Sequence, residues 1–314
     1  MTRQIAHRLG TLVLLLWLVS LAVFGLTYLI PGDPALTLLG DSATPAQTAS
    51  LRTALGLDEP FLTRYWNWTL EVLHGNLGTS LFNSSSVTSA LTSRIWVTVS
   101  LVVGALVLSV VVGTLVGVAA GSRPGSLLDR ALLFLSSVGI ALPNFWLGIL
   151  LVTLFGVTFR LFPISGYVAF GDSPTQWVSH LALPVVTLAA GGAAEIARQA
   201  RASMVDTLQL DFVRTLHAKG VAPGVVLFKH ALRNAMVPVV TVAGLQVSRL
   251  FGLSLLIESV FVIPGIGTLL VKAVFDRDIP VVQGAVLLAT TVVVLVNLLV
   301  DLSYGWLNPK AATP

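Results

Sequence analysis

The chain alternates long apolar runs with short polar ones, and six of the runs approach the length a membrane requires. A hydrocarbon core about 30 Å thick takes roughly 20 apolar residues as a helix. Leu9 to Ile30 is the first run, and it stops at Pro31-Gly32-Asp33-Pro34. Ile95 to Gly121 is the second, closed by Gly121-Ser122-Arg123-Pro124-Gly125, and Ala131 to Phe159 is the third, interrupted at Pro143. Leu181 to Ala197 is fourth, short and Gly-rich; Val237 to Ile257 and Val281 to Leu302 complete the set. The pattern predicts an all-α, polytopic membrane protein with six transmembrane helices. Arg3 and Arg8 precede the first run as they would in a signal peptide, but the run is too long for one and no A-x-A-like cleavage site follows. It reads as a retained helix.

Composition strengthens this reading. Hydrophobic residues make up 55% of the chain and charged residues 10%, with a mean hydropathy of +0.90. Soluble domains carry about 25% charged residues. The net charge of +4 is not gathered into basic runs, so nucleic-acid binding has no footprint. There are no cysteines, and His7, His74, His180, His217 and His230 have no metal-ligand spacing. No catalytic residue and no metal site is expected.

Lys and Arg set the orientation. With the N-terminus inside, the inner segments hold 11 of them, Arg3, Arg8, Arg123, Arg130, Arg198, Arg201, Arg214, Lys219, Lys229, Arg233 and Lys310. The outer segments hold 6, Arg52, Arg64, Arg94, Arg160, Lys272 and Arg277. Both termini are therefore expected in the cytoplasm. The outer segment Pro31 to Arg94 is too long for a plain connector and is expected to hold short helices, with Leu62 to His74 one candidate.

The inner segment Arg198 to Met236 contains Leu210-Asp211-Phe212-Val213-Arg214-Thr215-Leu216-His217-Ala218-Lys219-Gly220, which reads as one short helix. Asp211 is the expected N-cap, Gly220 the expected left-handed terminator, and Ala222-Pro223-Gly224 blocks continuation. Phe212, Val213, Leu216 and Ala218 or Lys219 form a small apolar face with basic flanks. A second amphipathic piece, Val225 to Ala235, leads into the fifth run. Two readings stay open on pattern alone: a helix lying on anionic lipid, or a docking helix for a cytoplasmic motor.

At this loop the sequence resembles the binding-protein-dependent ABC importer permeases, whose mark is E-A-A-x3-G followed by a turn, a helix and an apolar-Pro pair. Gly220 matches the glycine and Val237-Pro238 the closing pair, while Arg214-Thr215-Leu216 departs from E-A-A. That departure resembles the dipeptide/oligopeptide/nickel branch, first permease subunit type, which carries F-V-R-T-x-x-A-K-G; Lys229-His230-Ala231-Leu232-Arg233-Asn234-Ala235 is similar to the same branch. So are Leu29-Ile30-Pro31-Gly32-Asp33-Pro34, Leu55-Gly56-Leu57-Asp58-Glu59-Pro60 and Gly75-Asn76-Leu77-Gly78-Thr79-Ser80. Further along come Pro143-Asn144-Phe145-Trp146-Leu147-Gly148, Glu258-Ser259-Val260-Phe261, Pro264-Gly265-Ile266-Gly267 and Pro280-Val281-Val282-Gln283-Gly284, all in the branch's order.

The resemblance implies a type I ABC importer permease fold in a bacterial inner membrane. Residues 1–94 would be the first helix with an extracytoplasmic segment, 95–305 the permease core with a coupling helix near 211–221, and 306–314 a cytoplasmic tail. It implies a second homologous permease subunit, two cytoplasmic P-loop ATPases and an extracytoplasmic substrate-binding protein as partners. Phe212, Val213, Arg214, Thr215, Leu216, His217, Ala218, Lys219 and Gly220 would then seat the ATPase. ATP and Mg would sit on the partners, with no cofactor in this chain, whose sequence has no G-x-x-x-x-G-K-[ST]. The implied cargo is a di- or oligopeptide or a similar small solute.

Charges at membrane depth need a reason. Arg249 lies about 12 residues into the fifth run, where the related permeases have a small residue. It is either a translocation-path cation that meets a peptide carboxylate, a member of a buried pair, or an outward-snorkelling arginine. Asn144 after Pro143 supports the kink or lines the path. Glu195 is placed to pair with Arg198 three residues on, and Gln246 and Asn297 to bridge helices. The outer acidic residues Asp58, Glu59, Glu71, Asp276 and Asp278 are expected at the surface, as contacts for a binding protein or simply solvated. The alternative of another mechanism is an ion-coupled secondary transporter, but the halves show no repeat and only Glu195 offers a proton site. An intramembrane enzyme would need a nucleophile with a base at helical spacing inside the runs, and no run holds a histidine at depth.

Overall fold

The computed structural model of the chain describes residues 2–26, 34–40, 43–54 and 56–307. Residues 29–33 of the Leu29-to-Pro34 motif, Leu55, and the tail from 308 lie outside these. The regular structure of the described residues is helical, with a single isolated bridge between Thr79 and Ser86 and no strand. In chain order the helices are α1 (Thr2–Leu26), α2 (Pro34–Leu39), α3 (Pro45–Ala54), α4 (Phe61–Leu73), α5 (Val87–Gly121), α6 (Leu127–Ala141) and α7 (Asn144–Leu151). They continue with α8 (Pro174–Leu208), α9 (Asp211–Ala218), α10 (Pro223–Val225), α11 (Leu232–Val260), α12 (Ile266–Asp276) and α13 (Ile279–Leu307). A π-helical turn, Val152–Thr158, extends α7, and another, Val226–Ala231, joins α10 to α11 without a break.

Length and apolarity let four helical stretches cross a bilayer: α5, α8, Pro223–Val260 and Ile279–Leu299. The third apolar run is not one rod, because α6 and the α7 stretch meet at 103° around Pro143. Proline lacks the N–H and forces its predecessor away from helical geometry, and Leu142 is extended there (φ −75, ψ 128). In α1 the apolar stretch is Gly10–Gly25, shorter than the other four. The fourth run is much longer than its apolar part. From Ser173, whose Oγ accepts from the Gln176 N–H, α8 runs 35 residues to Leu208. Beyond Ala197 the sequence turns more polar, with Arg198, Gln199, Arg201 and Asp206, but Ala, Arg, Gln and Met are good helix formers, so the helix continues.

The chain forms two compact units, residues 1–96 with 269–294, and residues 97–268 with 295–314. In the first, the predicted outer helix exists as α4 and packs on the end of α1. The Phe24 ring lies 5.4 Å from Phe61 and 5.5 Å from both Tyr65 and Trp68, and the Tyr65 and Ser20 hydroxyls are hydrogen-bonded at 2.8 Å. The Gly75-to-Ser80 motif forms a hook held by one carboxylate. Ser80 Oγ donates to Asp278 at 2.5 Å and the Leu81 N–H donates to the same side chain at 3.2 Å. Asp278, expected at the surface, is buried.

In the second unit α8 is the central element and packs against α6, α7 and α11. Its contact with α5 is a glycine seam: a Cβ on Gly113 would meet Ala193 O at 2.6 Å, and one on Gly117 would meet Ala197 O and Ala200 Cβ at 2.5 Å. The neighbour at Gly117 is backbone, so the helices must part. Gly117→Ala is expected to cost about 1–3 kcal/mol, seen as a lower thermal midpoint of the detergent-solubilised chain.

Two buried carboxylates fix this unit. Asp129 accepts from Arg201 Nε at 2.5 Å and Nη2 at 2.7 Å, and from the Gly125 N–H at 2.8 Å. Ser126 caps α6 by accepting from the Asp129 N–H, so loop 121–126, α6 and α8 are tied together. Glu258, fully buried in α11, accepts from Thr98 Oγ1 at 2.5 Å and from the N–H groups of Gly267 at 2.6 Å and Thr268 at 3.3 Å. Thr98 Oγ1 in turn accepts from the Ile266 N–H at 3.0 Å. The first three amides of α12, orphans of any helix start, are thereby satisfied from outside.

Candidate functional site

Two places in the second unit gather the residues singled out by sequence. The first is α9. Leu210 is extended (φ −69, ψ 147) and is the N-cap, with no side-chain capping bond. Asp211 is already the first helical residue, a correction to its predicted cap role, and its carboxylate accepts from Arg214 Nη1 at 3.3 Å. The far end follows the expectation. Gly220 has φ +73, its N–H donates to His217 O at 2.9 Å, and the Val221 N–H donates to Leu216 O at 3.1 Å. This pair of bonds is the Schellman terminator.

The faces of α9 are sorted. Val213 is buried and Phe212 and Leu216 are half-buried, and the helix packs on the π-helical turn Val226–Ala231. Beneath that turn a cluster of Val118, Met204, Ala231 and Ala235 continues the core. Arg214, Thr215, His217, Ala218, Lys219 and Gly220 all face outward. Ala218 and Lys219, offered by the sequence as part of the apolar face, are therefore on the polar side. The cause is geometric: α9 is barely two turns, and positions 212, 213 and 216 already span the stripe that faces the body. A helix lying on lipid turns its apolar face outward; here that face is spent on the chain itself.

The second place is a cavity of about 50 Å³ lined by Asn144, Gly191, Gly192, Glu195, Gln246 and Arg249, with Ile140, Leu188, Leu250 and Leu253. Arg249 Nη1 on α11 donates to Glu195 Oε2 on α8 at 2.9 Å. Gln246 Nε2, one turn earlier, donates to the same oxygen at 2.7 Å. The expected pairing of Glu195 with Arg198 is not formed; Arg198 is exposed, and the partner comes from the next helix. Gln246 bridges helices as expected, and Asn297 does so through Ser248 Oγ, which donates to its Oδ1 at 2.5 Å. Asn144, the first residue of α7 after Pro143, lines the cavity. A Cβ on Gly191 would sit 3.8 Å from Asn144 Oδ1, so the glycine keeps that wall low.

Sequence reasoning missed Glu258, Asp129 and the Glu195–Arg249 pairing. Asp129 carried a signal, since Ser126-x-x-Asp129 before an apolar run is a capping pattern. Among the described residues no group of three or more His, Cys, Asp or Glu is arranged to hold a metal.

Comparison with known proteins gives two family matches. Residues 113–313 match the family described as binding-protein-dependent transport system inner membrane component. Residues 1–102 match the N-terminal part of the membrane component of binding-protein-dependent transport systems. A probable peptide ABC transporter permease from Sinorhizobium fredii is 40% identical, covering 98% of this chain and 98% of its own. The dipeptide transport system permease protein DppB of Escherichia coli is 38% identical, covering 99% and 98%. The di/tripeptide transport system permease protein DppB of Pseudomonas aeruginosa is 38% identical, covering 98% and 97%.

Proposed function

The chain belongs to the binding-protein-dependent transport system inner membrane components, and from that premise we propose that it is the permease subunit of an ATP-driven importer of di- and oligopeptides. The relatives named for peptide, dipeptide and di/tripeptide transport support the cargo, and their near-complete coverage supports equivalence of the whole chain. In this reading α1, α5, the bent α6–α7 pair, α8, α11 and α13 are six spans with both termini cytoplasmic. A second permease subunit completes the membrane part, a binding protein delivers cargo from outside, and two ATPases beneath supply the energy. This chain hydrolyses nothing itself.

The observation that carries the reading is the sorting of α9. Its apolar face is consumed by the body, its end is fixed by the Gly220 terminator, and a row of Arg214, Thr215, His217 and Lys219 is left outward. A motor needs a rigid element to push on, and a short helix anchored on one side and polar on the other is that element. The cavity at Arg249 and Asn144 is the corresponding path for cargo. Purification of the tagged chain from its native membrane is expected to bring down a second permease, P-loop ATPases and a binding protein. Vesicles holding that assembly are expected to take up dipeptide only with ATP. A chain that comes out alone and moves solute down an ion gradient sinks this reading in favour of secondary transport.

A further inference from the structure

Among its described residues the second unit holds two ion pairs between helices, and they differ in a way that assigns them different work. The Asp129–Arg201 pair is closed: both carboxylate oxygens and two guanidinium nitrogens are used, and the Asp129 side chain is 2% exposed. The Glu195–Arg249 pair is open. Only Nη1 of Arg249 is engaged, on only one oxygen of Glu195, and the side chains are 62% and 45% exposed. Guanidinium is a planar fork of five donors that suits a carboxylate, and a carboxylate offers several acceptor positions. Arg249 therefore keeps donors in reserve, and Glu195 keeps its Oε1, on the wall of the cavity that also holds Asn144 and Gln246.

We infer that Glu195 and Arg249 form a zwitterion site, in which Arg249 takes the terminal carboxylate of a short peptide and Glu195 takes its terminal ammonium. This rests on the reading of the chain as a peptide permease, and it adds Glu195 and a charge-exchange mechanism to that reading. A lone Arg249 at membrane depth is costly, and a lone Glu195 equally so. Paired, they neutralise each other while the path is empty. The cavity has room for water-sized groups, so a peptide needs it to widen, and in this reading the pair parts as it does. A zwitterion is the cargo that lets them part without leaving either charge uncompensated: one ion pair is exchanged for two. Gln246, held in the protein interior and donating to Glu195 Oε2, keeps that carboxylate on the wall while its other oxygen is offered to the cargo.

The test uses the complete assembly of this chain with its partner permease, ATPases and binding protein in proteoliposomes, with radiolabelled L-alanyl-L-alanine as probe. Neither single substitution is diagnostic, because each strands a charge. The double variant E195Q/R249Q removes both charges together. A merely structural pair predicts rescue, since two neutral groups leave nothing unpaired. The zwitterion site predicts failure: the maximal uptake rate falls about tenfold, while the half-saturating concentration, set by the binding protein, is unchanged. Should that variant not assemble, E195L/R249M carries the same test, because apolar replacement of an ion pair is well tolerated. Uptake by the double variant at the normal rate overturns this inference alone. Failure of the unsubstituted assembly to take up the dipeptide overturns the peptide reading and this inference with it.

Discussion

Gly220→Val is expected to reduce ATP-driven import roughly tenfold or more while the chain still inserts and co-purifies with its partners. Gly220 sits at φ +73, and no atom lies within 4 Å of the place its Cβ would occupy. The penalty is therefore confined to the backbone. A β-branched residue in the left-handed region costs roughly 1–2 kcal/mol or more, and each 1.4 kcal/mol is about a factor of ten in a local equilibrium. The relief is to unwind the last turn of α9, which frees the carbonyls of Leu216 and His217 that Val221 and Gly220 now satisfy. His217 and Lys219 are on that turn and exposed, so the surface proposed to meet the motor loses its fixed position. Asparagine tolerates the left-handed region. Gly220→Asn is accordingly expected to retain more than half of the import rate, which separates loss of conformation from loss of the glycine as such. Uptake measured beside recovery of the assembly reads both, and import by the valine variant at the normal rate would remove α9 from the coupling role.

The long apolar helices were legible because they follow from apolar run length, a property of each segment by itself. Helix ends were legible where a residue type forces the backbone, as Gly220 and Pro143 do. They were misread where the stop depended on propensity: α8 passes Ala197 because nothing between it and Leu208 breaks a helix, and Asp211 lost the cap to Leu210, whose extended backbone places it there. The partners of charged residues were the least legible. Glu195 had an arginine three positions away on its own helix and bonded instead to one 54 positions away. Asp278 looked like a surface acid and proved to be the anchor of the loop after Gly75. Spacing along one helix is visible in a sequence, whereas the register between α8 and α11 is set by packing of the whole unit. Arg249 was offered as a path cation and Asn144 as kink support or path lining, but that both line one cavity came only with the fold.

Substitution of Glu258 has the largest expected effect on stability, and the size of the loss depends on what replaces it. Its two oxygens serve Thr98 Oγ1, the Gly267 N–H and the Thr268 N–H, with Thr98 relaying to the Ile266 N–H. The site is built around the carboxylate, since a Cβ on Gly265 would collide with it and one on Gly267 would strike both it and the Leu255 backbone. Glu258→Ala leaves the α12 amides without an acceptor in a site closed to water, at roughly 1–3 kcal/mol for each stranded donor. It adds a cavity in α11, so the sum approaches the 5–15 kcal/mol that typically holds a domain together. The alanine variant is expected to be lost to aggregation or degradation before assembly. Glutamine behaves differently: its Oε1 can accept from Gly267 and Thr268 while its Nε2 donates to Thr98 Oγ1, which retains a lone pair. The Thr98 hydroxyl, which donated to Oε1, loses that acceptor, so roughly 1–3 kcal/mol for one stranded donor adds to about 1 kcal/mol of lost charge assistance. Glu258→Gln is thus expected to assemble with a thermal midpoint lowered by a few degrees. Thr98→Val, which removes the relay and strands the Ile266 amide, is expected to fall between the two. Monodispersity after heating in detergent gives the order directly. An alanine variant as stable as the unsubstituted chain would mean that the start of α12 does not depend on this carboxylate.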